Sequence, residues 1–436
     1  SSALFSARVV HHVLLFAVDT LRADRVGAIA GGGLTPRIDA FAAGGRTYAA
    51  AYTQATQTHP AMASVMTGLA PPHHGVLSQG NRHAESVVTL AELLRDQGFA
   101  TGSFVANLCQ LQEHGRTVWS DGWDQQFCGE DEAQEQHLWD RAVVDAGLEW
   151  IAATDRPFFA WIHLMDPHSE YRPSPEDWDY AARPVRSAWE QSVFYGDFIK
   201  RYEAPPEAVR EELVALYDAQ IHGVDRQFGR VLDRLAEVGL DRNTIVVLVA
   251  DHGEELFETW PKAGHGFSLT EGVLHVPLIL AGPGIEPGRV EQVVETLQVT
   301  PTLLELLEVE SPSELDGGSL LADSPSRGWA ASFIGDRVSV RRGEGRWWGR
   351  NRSLVVVNAI RDYLTRYPAY LEAPWYRESE LFAEYALGSN VPLWRGLETA
   401  PDQRAVDVAF AQPLRRFLRG TLDAEDAIED PALDRA

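Results

Sequence analysis

Four apolar runs recur along the chain, each ending where polar chemistry begins. His12 to Val18 (HVLLFAV) stops at Asp19, Pro157 to Met165 (PFFAWIHLM) at Asp166, and Thr244 to Ala250 (TIVVLVA) at Asp251; Val276 to Ala281 (VPLILA) is a fourth run of similar type. Short runs without polar alternation read as strands of a parallel sheet buried on both faces. Amphipathic stretches lie between them. Thr89 to Gln97 stops at Gly98 and leads into the strand-like Ala100 to Ala106. Within Glu207 to Gly239, the residues Leu213, Leu216, Ile221, Val224, Phe228, Val231 and Leu235 keep the three/four spacing of one helix face. Strands alternating with helices predict an α/β fold: a large, mainly parallel sheet covered by helices on both faces. Ligands of such sheets bind beyond the carboxyl ends of the strands, so Asp19, Asp166 and Asp251 are expected to share one crevice.

After about residue 325 the texture changes. Arg341, Arg342, Arg346, Trp347 and Trp348 precede a strand-like SLVVVN, and a terminal helix is expected around Val406 to Arg419. The expected organisation is a catalytic domain over 8–325 and a smaller α+β domain over 326–436, which is a size suited to 436 residues.

The segment Thr56-Gln57-Thr58-His59-Pro60-Ala61-Met62 reads as the start of a helix with Pro60 in its first turn. Thr58 then sits at or next to the N-cap, where free N–H groups and the helix dipole favour an alkoxide and bind an anion. The plain alternative is a threonine that only caps the helix. Asp251-His252-Gly253 sets a carboxylate and an imidazole side by side on a sharp turn, and His265 projects from Gly264-His265-Gly266. Asp166-Pro167-His168 ends another strand. Converging carboxylates repel one another unless a cation sits among them, and carboxylate with imidazole suits Zn²⁺, with Mn²⁺ or Ca²⁺ as alternatives.

In order along the chain stand VLLFAVDTLRADRVG, TPRIDAFAAGG, AYTQATQTHPAMASVMTGLAPPHHGV, TLAELLRDQGFAT, GWDQQF, HLMDPHSEY, TIVVLVADHGEELFE, GHGFSLTEGVLHVPLIL, VTPTLLELL and LDGGSLL. Together, over roughly residues 10 to 325, they resemble the sulfatase-like branch of the alkaline-phosphatase superfamily. The resemblance implies a central sheet with a small C-terminal domain. It implies Asp19, Asp251 and His252 as metal ligands, and Thr58 as a nucleophile that also touches the metal. His265 matches a position that contacts the ester group or a second metal; Asp166 and His168 fall near a second-metal or leaving-group site, so one or two ions are implied. Gln79, with Asn81 as second candidate, stands where relatives carry an amide donor to the ester oxygens.

The chain departs from sulfatases at the nucleophile. Their Cys-x-Pro-Ser-Arg, whose cysteine becomes formylglycine, reads Thr58-His59-Pro60-Ala61-Met62 here. Threonine cannot become formylglycine, and Met62 replaces the arginine that supports the aldehyde. The expectation is therefore a metal-dependent hydrolase of phosphate esters, diester or monoester, acting through a Thr58 phosphoenzyme on a small-molecule ester. Its rivals are a sulfuric ester hydrolase of mixed preference, a phosphoethanolamine-type transferase, and a silent binding protein on the same scaffold.

Charge and cysteines adjust the remainder. A net charge of -25 argues against nucleic acid or an anionic membrane surface as partner, and no apolar run reaches membrane-span length. Cys109 and Cys128 are either two cytosolic thiols or a disulfide made in an oxidising compartment. Ser1 to Arg8 does not read as an intact signal peptide, so a periplasmic or secreted location, which the resemblance favours, requires a leader outside this sequence. The oligomeric state is left open.

Overall fold

The computed structural model describes residues 11–79, 81–84, 86–113, 115–129, 136–177, 205–259, 263–310, 315–322, 330–334, 337–342 and 345–350. The chain divides into two compact units, residues 1–334 with 339–346 and residues 335–338 with 347–436. The strand-like segment 353–358 and the terminal helix expected at 406–419 lie outside the described residues, as does nearly all of the expected 326–436 domain.

Among the described residues, nine strands form one sheet: β1 (His12–Val18), β2 (Arg46–Tyr52), β3 (Ala100–Val105), β4 (Gln125–Cys128), β5 (Phe158–Leu164), β6 (Thr244–Ala250), β9 (His275–Val276), β10 (Leu278–Ala281) and β11 (Gly288–Glu295). Two short strands, β7 (Glu255–Leu256) and β8 (Ala263–Gly264), make a separate hairpin-like pair. The order across the sheet is β11-β2-β10-β6-β1-β5-β3-β4, with β9 alongside β2. β6, β1, β5, β3 and β4 run parallel, as their apolar sequences predict. The fourth apolar run behaves differently. Pro277 has no N–H to give a ladder, so the run splits into β9 and β10, and β10 lies antiparallel to both β6 and β2.

Side chains alternate between two cores. Leu14, Phe16 and Val18 of β1, with Ala160, Ile162 and Leu164 of β5, face the helices Pro36–Ala43, Gln136–Ala153 and Glu207–Glu237. Val13, Leu15 and Ala17, with Phe159 and Trp161, face the opposite core, which contains Met62, Ala63, Val65 and Met66 of the helix Thr58–Thr67. All of these side chains are buried, and full burial of a large apolar side chain contributes about 1.5–3 kcal/mol. Because the Thr58–Thr67 helix is buried along its whole length, its N-terminus is enclosed rather than left in solvent, and Thr58 meets Asp19 just past the end of β1.

The expected helix at Thr89 begins with a capping box: Thr89 accepts from the Glu92 amide, and Glu92 accepts from the Thr89 amide. Cys109 and Cys128 are disulfide-bonded, tying the loop after β3 to the end of β4.

Candidate active site

The register of the central strands decides which side chains meet. Val18 of β1 is level with Ala250 of β6, so the next residues, Asp19 and Asp251, leave neighbouring parallel strands at the same height and on the same face. That face carries the Thr58–Thr67 helix. Asp251 is locked there: its Oδ1 accepts from the Thr20 amide at 3.1 Å and from the His252 amide at 2.6 Å. The chain must then turn hard, and Gly253 permits it; a Cβ there would lie 2.0 Å from the Gly272 carbonyl oxygen.

His252 completes the group. Its Nδ1 pairs with the Gly253 carbonyl oxygen at 3.0 Å, which can only accept, so the ring proton is on Nδ1 and the lone pair on Nε2. Nε2 faces Asp251 Oδ2 at 3.4 Å and Asp19 Oδ1 at 4.0 Å. All three residues are fully buried, and Asp19 Oδ1, Asp251 Oδ2 and His252 Nε2 have no hydrogen-bond partner among the described residues. Two carboxylate oxygens and an imidazole lone pair offer acceptors and no donor. One cation satisfies all three, and their atoms lie within 4.8 Å of one another. The donor set therefore fits a divalent metal. The cost of keeping the group without one is visible in Asp19, whose carboxyl is held well above the carboxylate range by burial and then by Asp251 and Glu254.

Thr58 stands at the rim of this group. The N-cap is Gln57, so Thr58 is the first residue inside the helix and makes no capping bond; Pro60 falls in the first turn as predicted. Its hydroxyl donates to Asp19 Oδ2 at 3.4 Å, and only 2% of the residue is exposed. The next amide, of His59, donates to Gln79 Oε1 at 2.7 Å, which brings the Gln79 amide group to the helix N-terminus. Asn81 is engaged elsewhere: its Oδ1 accepts from the amides of Leu77 and Ser78 and from the Ser78 hydroxyl, organising its own loop.

His265 comes close from another loop, between Gly264 (φ 126°) and Gly266 (φ 77°), backbone angles that side chains with a Cβ rarely adopt. Its ring centroid is 4.3 Å from that of His252 and 4.9 Å from that of His168. The His168 pKa is pushed down to about 4 by burial and then by His265. Asp166 takes other partners. Gln220, on the long helix of the opposite sheet face, donates to its Oδ1 at 2.5 Å, and its amide donates to Asp140. The group whose ligand atoms lie within 4.8 Å of one another holds Asp19 and Asp251 but not Asp166.

Glu254 and Asn107 belong to the neighbourhood and were not singled out from sequence. Glu254, fully buried with its pKa raised to about 7 by burial, pairs through Oε1 with His265 Nδ1 at 3.0 Å. Its signal was present, three residues after Asp251 within Asp-His-Gly-Glu. Asn107, in the loop after β3, donates from Nδ2 to Asp19 Oδ2 at 3.2 Å, and nothing in its local sequence announces this.

The sulfatase family model matches residues 11–309. The chain belongs to the sulfatase family. Among similar curated proteins, an endo-4-O-sulfatase of Bacteroides thetaiotaomicron is 24% identical over 370 residues, 73% of this chain and 69% of that protein. An uncharacterised sulfatase of Escherichia coli is 24% identical over 372 residues, 73% of this chain and 72% of that one. Among solved structures, a phosphonate monoester hydrolase of Agrobacterium radiobacter superposes with a TM-score of 0.62 at 18% identity, covering 87% of this chain and 96% of that one. A protein solved with its substrate D-glucosamine-2-N,6-O-disulfate superposes with a TM-score of 0.63 at 16% identity, covering 88% and 100%. These likenesses establish the alkaline-phosphatase-like fold of this sulfatase-family hydrolase. No helix among its described residues is long and apolar enough to cross a membrane.

Proposed function

We propose that this sulfatase-family chain is a metal-dependent hydrolase of phosphoric esters that works through a covalent Thr58 phosphoenzyme. The observation that carries the reading is the pairing of a threonine hydroxyl, inside a helix N-terminus, with an all-acceptor cluster of Asp19, Asp251 and His252. Asp19, Asp251, His252 and the Thr58 oxygen would hold the ion, Zn²⁺ in the first instance. When bound, it would lower the pKa of the Thr58 hydroxyl and offset charge on the ester oxygens.

The residues of the chain supply the remaining steps. Asp19 Oδ2 orients the Thr58 hydroxyl. The deprotonated Thr58 oxygen attacks phosphorus in line, forming the Thr58 O–P bond as the bond to the leaving alcohol breaks. Donors at the helix N-terminus, with the Gln79 amide beside them, hold the equatorial oxygens. His265, paired with Glu254, gives the leaving oxygen its proton, and water then releases phosphate from Thr58. The substrate is a small-molecule ester, and the Cys109–Cys128 bridge supports export to an oxidising compartment.

A second reading has its own support, because the curated relatives named above are sulfatases. Sulfate-ester cleavage would have to use Thr58 directly, since threonine cannot yield the formylglycine aldehyde. The test is a panel of aryl phosphate monoester, phosphodiester, phosphonate monoester and sulfate ester, run with chelated and Zn²⁺- or Mn²⁺-reloaded protein, plus intact mass after acid quench. Metal-dependent turnover of a phosphorus ester with a phosphoryl adduct on Thr58 is expected. Turnover of the sulfate ester alone, or full turnover without metal, would refute the proposal.

A further inference from the structure

Asn107 reaches Asp19 from two strands away. The order β1-β5-β3 puts β5 between them, and the Asn107 side chain crosses over the end of β5, where its Nδ2 lies 2.9 Å from Met165 Sδ and 3.2 Å from Asp19 Oδ2. The residue is 8% exposed. With Asp19 ionised as a cation ligand, neither its carboxylate nor the thioether can donate, so Nδ2 and not Oδ1 faces them.

The two oxygens of Asp19 are thereby separated in role. Oδ2 accepts from Asn107 and from the Thr58 hydroxyl, while Oδ1 faces His252 Nε2 and takes no donor among the described residues. A carboxylate rotates readily about its Cβ–Cγ bond, and with equal oxygens nothing else would select which one is presented. Thr58 cannot be that selector throughout a reaction in which its proton leaves. Asn107 has no such conflict.

We propose that Asn107 is a positioning residue for the cation site, holding Asp19 Oδ2 so that Oδ1 is presented together with Asp251 Oδ2 and His252 Nε2. The proposal rests on the metal reading of this cluster and is independent of whether the ester is phosphate or sulfate. Partners that orient a ligand in this way change metal affinity by roughly 10–100-fold when removed.

The test measures Zn²⁺ and Mn²⁺ affinity by competition with a chromophoric chelator, and the Tm of metal-free and metal-loaded protein, for four proteins. Asn107→Leu removes the amide and keeps the volume. Asn107→Ser leaves a hydroxyl too short to reach Asp19 and serves if the leucine variant does not fold. Met165→Leu removes the sulfur contact only and is the control for packing. Wild type should bind with the highest affinity, Met165→Leu within about threefold of it, and both Asn107 variants at least roughly tenfold more weakly. The interval between metal-free and metal-loaded Tm should shrink in the Asn107 variants. A purely structural role would instead lower the metal-free Tm and leave that interval intact, and such a result overturns the proposal. So do Asn107 variants with wild-type affinity. If wild type itself takes up no metal, the metal reading fails and the proposal with it; weak metal binding by the variants beside a wild type without phosphoesterase activity would sink only the proposed function.

Discussion

Replacing Thr58 with alanine separates the two things this residue could do by the size of their effects. The structure limits the stability cost. Thr58 is not the N-cap, so no capping bond is lost. The truncation deletes one buried methyl, about 1 kcal/mol in a core that relaxes little, and a long 3.4 Å hydrogen bond to Asp19, whose Oδ2 keeps the Asn107 donor. A total of about 1–2 kcal/mol leaves an ordinary domain folded. Loss of the nucleophile is a far larger effect: a thousandfold fall in kcat corresponds to about 4 kcal/mol of barrier. The assay is kcat of the metal-loaded variant on the aryl phosphate and the phosphodiester, beside urea unfolding of the same preparation. Thr58→Ser, which keeps a hydroxyl at the helix start, should keep measurable turnover and form the covalent adduct on Ser. If Thr58→Ala folds and retains more than about a tenth of wild-type kcat, Thr58 is a packed helix residue and the mechanism is wrong.

Other consequences can be checked separately. Asp251→Asn should abolish stoichiometric metal uptake measured by elemental analysis, whereas Asp166→Asn should leave it unchanged; equal losses would contradict the separation of these two carboxylates. Thiol titration of the unreduced, unfolded protein should find none from Cys109 or Cys128, and reduction should cost about 3 kcal/mol of stability in chemical unfolding for a bridge of sequence separation 19. His59 is buried with neither ring nitrogen paired among the described residues, and burial lowers its pKa from 6.5 to about 3, so it folds as the neutral base. The unfolded chain binds the proton first, so this residue's contribution to stability is present above about pH 6.5 and is lost as pH falls toward 3. His59→Phe should therefore flatten the acid side of the stability profile while leaving neutral stability within about 1 kcal/mol, and an unchanged acid slope would show that His59 is not neutral in the folded state.

Much of the fold was legible because burial writes itself into composition. β1 and β6 carry unbroken apolar sequence, since both faces of a central parallel strand are covered, and both strands end at the aspartates that their sequences mark. The Thr89 helix was readable from its terminal glycine, while its capping box came to light in the structure. Strand direction was not readable in the Val276–Ala281 run, because an apolar hexapeptide reports burial and says nothing of the direction in which its neighbours run. Asn107 was invisible for a deeper reason: its role depends on a partner 88 residues away, and no pattern at its own position records that distance.

Asp166 shows how one residue of register decides membership of a site. Val18, Ala250 and Leu164 are level across β1, β6 and β5, so the residues that leave the three strands together are Asp19, Asp251 and Met165. The backbone repeats the count: the Asp19 amide donates to the Leu164 carbonyl, and the Asp251 amide to that of Val18. Asp166 is one place further on. β5 has already ended at Leu164, and in the turn that follows, the Asp166 carboxylate accepts from Gln220 of the long helix on the other side of the sheet. Reading where an apolar run stops finds the end of the sheet but not the turn that the chain takes beyond it. That turn leaves Asp19 and Asp251 side by side at the candidate cation site, while Asp166, one place further from its strand end, is held by Gln220 and Asp140.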